Sequence, residues 1–153
     1  MSHATPSTVV RARDRALTGT TRTIAGVAFI LGLLGVLDTS LDGLGSDSAQ
    51  TLFVFVVHPI TGLLWLAIGL TGIAMGTAPH RSRRFLTVVG PALLLWALLA
   101  LAVGDGPTQA LTRDPQVVAL HLIGGIAAIV AVFAPLPVAL VRFLAAPRES
   151  GAV

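Results

Sequence analysis

The sequence predicts an all-α membrane protein: a four-helix transmembrane bundle with both termini on the cytoplasmic side. Three observations predict it. Hydrophobic residues make up 54% of the 153 residues and charged residues only 11%, whereas soluble domains carry about 25% charged residues. So few charges cannot cover a surface facing water. The apolar residues gather into four long runs separated by short polar segments. The basic residues, ten arginines and no lysine, favour alternate segments.

Residues 1–21 are polar and small, with Arg11, Arg13, Asp14 and Arg15, and are expected to form a disordered cytoplasmic arm. The transmembrane domain is expected over residues 22–144, with a cytoplasmic tail over 145–153. The first span covers about 22–38 and is bounded by Arg22 and Asp38. The long arm before it, and the lack of a small-x-small site after Leu37, argue against a cleavable signal peptide. An acidic loop follows, carrying Asp42 and Asp47. The second span, about 51–76, is long enough to cross with some tilt. A turn-rich loop holds His80, Arg81, Arg83 and Arg84, and the third span covers about 85–104. Asp114-Pro115 reads as an N-cap followed by proline at the first helical position. It opens the fourth span, about 115–134, which Pro135 and Pro137 end. Pro59 and Pro91 fall inside spans, where each removes a backbone donor and is expected to kink its helix.

Arginine sets the orientation, because Lys and Arg accumulate at the cytoplasmic ends of short loops. The arm with Arg22 at its boundary, the middle loop, and the C-terminal end from Arg142 onward hold nine arginines, and the outer loops hold only Arg113. Such a distribution explains the basic pI of about 11.4 by a membrane surface rather than a nucleic acid. The chain has no Cys, which excludes disulfides, thiolate metal sites and a cysteine nucleophile. No Walker, HExxH or GxSxG motif occurs.

Helices in lipid associate by close contact of small residues. Gly32 in the first span, Gly62, Gly69, Gly72 and Gly76 in the second, and Gly124 and Gly125 in the fourth recur at helical spacing and are the expected packing seams. His58 and His121 are the strongly polar residues within the apolar runs. Intramembrane ionisable side chains face the bundle interior and are candidate functional groups. His58 lies seven residues after Thr51 and His121 six after Pro115, so both are expected about 10 Å below the outer helix ends. The similar spacing of basic start, span, acidic loop and histidine-bearing span in each half suggests a tandem repeat of two helical hairpins.

Three readings of the histidines stay open. They are neutral groups tying the second and fourth helices together; or a bis-histidine site for haem b, with Arg113 meeting a propionate; or an outward-facing site for a metal ion or polar ligand, helped by Asp38, Asp105 or Asp114. The run from His58 to Leu63-Leu64-Trp65, and Leu120-His121-Leu122 followed by glycines, resembles a family of small four-helix membrane proteins common in actinobacteria and classed as a domain of unknown function. The resemblance covers roughly residues 22–134 and implies the fold. The family's second-span motif has Asn after its first His and a second His one turn on, where this chain has Pro59 and Gly62. Its fourth-span approach contains Asn, where this chain has Val117-Val118-Ala119.

The expected function is non-enzymatic: a multi-pass plasma-membrane protein acting as an accessory or structural subunit. Its partners would be the lipid bilayer and a larger membrane complex or a second copy of itself, with no nucleic acid and no cofactor. A haem b redox protein and a small transporter or channel are the alternatives.

Overall fold

The computed structural model describes residues 6–39, 50–52, 55–57, 59–103 and 114–133. Among them are four helices, α1 (Pro6–Thr39), α2 (Pro59–Met75), α3 (Pro79–Val103) and α4 (Pro115–Phe133). A short antiparallel ribbon, β1 (Gln50–Leu52) and β2 (Phe55–Val57), pairs Thr51 with Val56. Three helices are long and apolar enough to cross a membrane: Ser7–Leu37, Pro79–Ala102 and Pro115–Phe133. Their outer faces carry large apolar side chains, among them Leu95, Leu98, Ile123 and Ile126, each more than half exposed. Lipid accommodates such a surface, whereas soluble monomers rarely expose contiguous patches of this kind.

The structure corrects three expectations. Residues 6–21 are helical, not a disordered arm: α1 runs 34 residues without a break, about 51 Å. Pro6 suits a first helical position, and packing holds the turns after it. Ala12 is 1% exposed, and Leu17 joins Phe85, Leu86, Ala128 and Val132 in a buried cluster. Second, the span expected over 51–76 divides. Its first part forms the ribbon and only Pro59–Met75 is helical. The early residues, Thr51, Val56 and Val57 among them, are β-branched and suit a strand. Proline, moreover, pushes the residue before it out of the helical region. Pro59 therefore starts α2 instead of kinking it, and the 17-residue helix is about 26 Å long. Third, His80, Arg81, Arg83 and Arg84 belong to the first turns of α3, not to a loop. Proline at Pro79 again opens the helix. Pro91 lies inside α3, as the sequence predicts.

The helices pair as two antiparallel hairpins, α1 with α2 and α3 with α4, and the contacts between hairpins are fewer. The α1–α2 seam reads as a ladder. Gly76 meets Arg22, Gly72 meets Ala25, Gly69 meets Phe29, Gly62 meets Gly35, and Gly32 meets Leu66. At Gly69 an added Cβ would lie 2.5 Å from the Phe29 backbone, and at Gly32 it would overlap the Leu66 backbone. Those two positions set how close the helices come. In the second hairpin the contact is looser. A Cβ at Gly125 would meet the end of the Leu94 side chain at 2.7 Å, and one at Gly124 would meet Leu93 Cδ1 at 3.3 Å. The turn between hairpins is pinned by Ser82 Oγ, fully buried, which donates to the Met75 carbonyl at 3.4 Å.

Alanine at Gly32 or Gly69 is therefore expected to destabilise the protein by about 1–3 kcal/mol through overpacking. At Gly26, where nothing lies within 4 Å of the added Cβ, alanine is expected to be neutral or to stabilise by up to about 1 kcal/mol through helix propensity. Thermal unfolding of the three variants in one detergent checks the contrast.

Candidate functional site

His121 lies one and a half turns into α4, and the start of that helix is fixed by its cap. Asp114 Oδ1 accepts the Gln116 N–H at 2.8 Å, and the Asp114 carbonyl accepts the Val118 N–H at 3.0 Å. This is the N-cap geometry. It places the His121 ring in the bundle interior at 3% exposure. There it meets two tryptophans from two other helices. The Trp65 ring lies 5.7 Å away and is tilted, and the Trp96 ring lies 6.5 Å away and is stacked at 23°. Trp65 comes from α2 and Trp96 from α3. Leu31 and Leu34 of α1 pack on the cluster of Trp65 and Val117. All four helices therefore contribute to one region.

Hydrogen bonding fixes the state of the ring. Trp65 Nε1 donates to His121 Nε2 at 3.2 Å. An indole N–H can only donate, so Nε2 must hold a lone pair. The ring proton then sits on Nδ1, which donates to the Val117 carbonyl at 2.6 Å. His121 is thus a neutral Nδ1–H tautomer with both nitrogens engaged. An axial haem ligand or a metal ligand needs a free ring lone pair, and here that lone pair faces Trp65. The haem b reading of His121 finds no support in this geometry. His58 and Arg113, the other residues of that reading, lie outside the described residues. So does Asp105, and Asp38 is described only as backbone. Among the described residues no group of three His, Cys, Asp or Glu side chains gathers in a metal-binding arrangement.

Two arginines hold helix ends, a role that the charge distribution alone does not reveal. Arg22 Nε donates to the Gly76 carbonyl at 3.1 Å, just past the end of α2. Arg13 Nη2 donates to the Val132 carbonyl at 3.0 Å, in the last turn of α4. The last carbonyls of a helix lack intrahelical partners and carry its negative dipole end. α1 therefore supplies a cation to the C-terminus of each helix that runs towards the arginine-rich end. The periodicity of Arg13 and Arg22 on α1, nine residues apart, is the signal the sequence offers for it.

Beside the tryptophan–histidine contact lies a cleft of about 190 Å³ between α1 and α4. Trp65, His121 and Leu93 form its floor. Val27, Ile123 and Ala127, all exposed, stand at its mouth. The lining is almost wholly apolar. Replacing Trp65 with Phe removes the donor to Nε2 and is expected to cost about 1 kcal/mol, as for other hydrogen bonds between membrane helices. Thermal unfolding of that variant beside the wild type measures the loss. The tautomer has its own test. Nitrogen-15 spectra of the wild-type protein are expected to show a protonated Nδ1 and a bare Nε2 at His121, and an imidazolium pattern would contradict the assignment.

Residues 19–134 match a domain of unknown function, DUF4383. No curated protein and no solved structure matches the chain.

Proposed function

The chain belongs to the family defined by this domain of unknown function, and from that premise we propose a non-catalytic role: an accessory or structural subunit of the plasma membrane. One observation carries the reading. Among the described residues, His121 is the ionisable side chain buried in the interior, and it and the arginines at the helix ends are occupied in holding helices together, whereas buried Thr21 Oγ1 has no hydrogen-bond partner. His121 joins Trp65 to its own helix, and Arg13 and Arg22 bind helix ends. A group so engaged is poorly placed to transfer protons or to ligate a substrate, because both tasks need an open donor or acceptor. The broad apolar outer faces of α3 and α4 are then the surfaces available to lipid and to a protein partner, either a second copy or a larger membrane complex.

In this reading all four helices lie across the bilayer, α2 included despite its length, with both termini in the cytoplasm. The positive-inside distribution supports that orientation. So does the placing of the C-terminal ends of α2 and α4 on arginines of α1, which keeps the basic residues and those two ends together.

Gentle extraction from the native membrane, with crosslinking beforehand, tests the role. The protein is expected to migrate with a second chain or as a homo-oligomer. A monomer that changes solute flux when reconstituted alone would exclude the structural role in favour of transport. The orientation has a direct test as well. Because the chain has no Cys, single cysteines at Ser7 and Asp105 report cleanly. Impermeant maleimide applied to intact cells is expected to label position 105 and spare position 7, and the opposite pattern would invert the topology.

A further inference from the structure

We propose that the cleft between α1 and α4 holds one acyl chain of an anionic phospholipid, drawn from the leaflet on the arginine-bearing side. The cleft opens between α1 and α4, both long and apolar enough to cross a membrane, so its surroundings are hydrocarbon and its mouth is met by lipid tails. The exposed residues that line it are apolar apart from Thr23, with Val27 41% and Ile123 68% exposed. Its volume, about 190 Å³, is of the order of apolar cavities of roughly 150 Å³ that stay dry and take up a benzene-sized guest. Such a space holds a stretch of hydrocarbon, not a whole lipid. The floor offers nothing better to a polar guest, because Trp65 Nε1 and both His121 nitrogens already have partners.

The headgroup assignment rests on Arg13. It bridges the same two helices that frame the cleft, with Nη2 on the Val132 carbonyl. A guanidinium has five N–H donors, so that bond leaves it able to receive a phosphate as well. Exposed Arg11 and Arg15 lie one half-turn to either side of Arg13 on the other face of α1 and add to the positive charge at that end of the helix, which attracts anionic lipids at a membrane surface. The distances agree. From Val132, the cleft starts five residues up α4 at Ala127 and ends twelve residues up at Leu120, about 8 to 18 Å along the axis. Half of the hydrocarbon core is about 15 Å thick. A lipid whose phosphate sits at Arg13 thus places the terminal half of one tail, the half next to the bilayer midplane, in the cleft.

Trp65 at the floor makes the occupant visible. The full chain carrying Trp96→Phe, so that Trp65 is the sole fluorophore of its kind, is reconstituted in two vesicle mixtures. One has phosphatidylglycerol brominated mid-chain and diluted in unlabelled phosphatidylcholine; the other reverses the label. Trp65 is expected to be quenched in the first mixture and largely spared in the second. Ala127→Phe, which fills the mouth, is expected to lose most of that quenching. Ile126→Phe, on the same helix but outside the cleft, is expected to retain it. Thermal unfolding of both variants confirms that they fold, and Val27→Phe fills the mouth from the α1 side if Ala127→Phe does not. Equal quenching in the two mixtures overturns the anionic headgroup. Quenching unchanged by a folded mouth-filling variant overturns the cleft as the site.

Discussion

The structure depends first on how closely α1 and α2 approach. In water, burying apolar surface would draw two such helices together. In hydrocarbon that force is absent, and van der Waals contact, short polar contacts and helix-end electrostatics must hold the bundle instead. Contact strength falls steeply with a gap of even 1 Å, so a missing side chain matters more than a large one. Gly32 and Gly69 lie on the Leu66 and Phe29 backbones because they have nothing to put between. Once α1 and α2 are one unit, Arg22 reaches the end of α2, and α1 presents its opposite side to α3 and α4.

The second hairpin meets the first through a polar contact as well as through packing. Trp65 and His121 come from different hairpins and share a hydrogen bond that each needs, since an unpaired indole N–H or ring nitrogen in a dry interior costs about 1–3 kcal/mol. Such a bond sets position more than it adds stability, because it is directional and the apolar surfaces around it can slide. Trp96 stacked on the other side narrows the choice of ring orientation further. The interior thus has one fixed register between hairpins, with an unfilled cleft to one side of it.

Much of this is legible in the residues. Composition and run length give a helical membrane protein, and the cap at Asp114-Pro115 locates the start of α4. The legible part of the site is His121: its type and its place on a small-residue face mark it as interior. Its partner is not legible, because the depth comparison depends on where α2 begins. Counted from a helix starting at Thr51, His58 matches the depth of His121. Counted from Pro59, Trp65 does, six residues from the start just as His121 is six from Pro115. The difference therefore lies in the element boundary. A run of β-branched residues looks like hydrophobic length, whereas the proline after it marks a break. The arm over 6–21 departs from expectation for a different reason. Its polar residues look unstructured alone, and only α3 and α4, more than sixty residues away in sequence, give Leu17 something to pack on.

Arg13 and Val132 are separated by 119 residues, and that span has a consequence for the order in which the chain is made. A ribosome delivers α1 and α2 first, and their ladder of glycines can close at once. α3 and α4 (Pro115–Phe133) emerge later. Arg13 spends the whole of that interval without its carbonyl, so its bond to Val132 cannot form until α4 has been made. A chain stalled before the end of α4 leaves that arginine and the Leu17 surface uncovered. The assembled protein therefore differs at one place on its basic face from any precursor that ends before Val132.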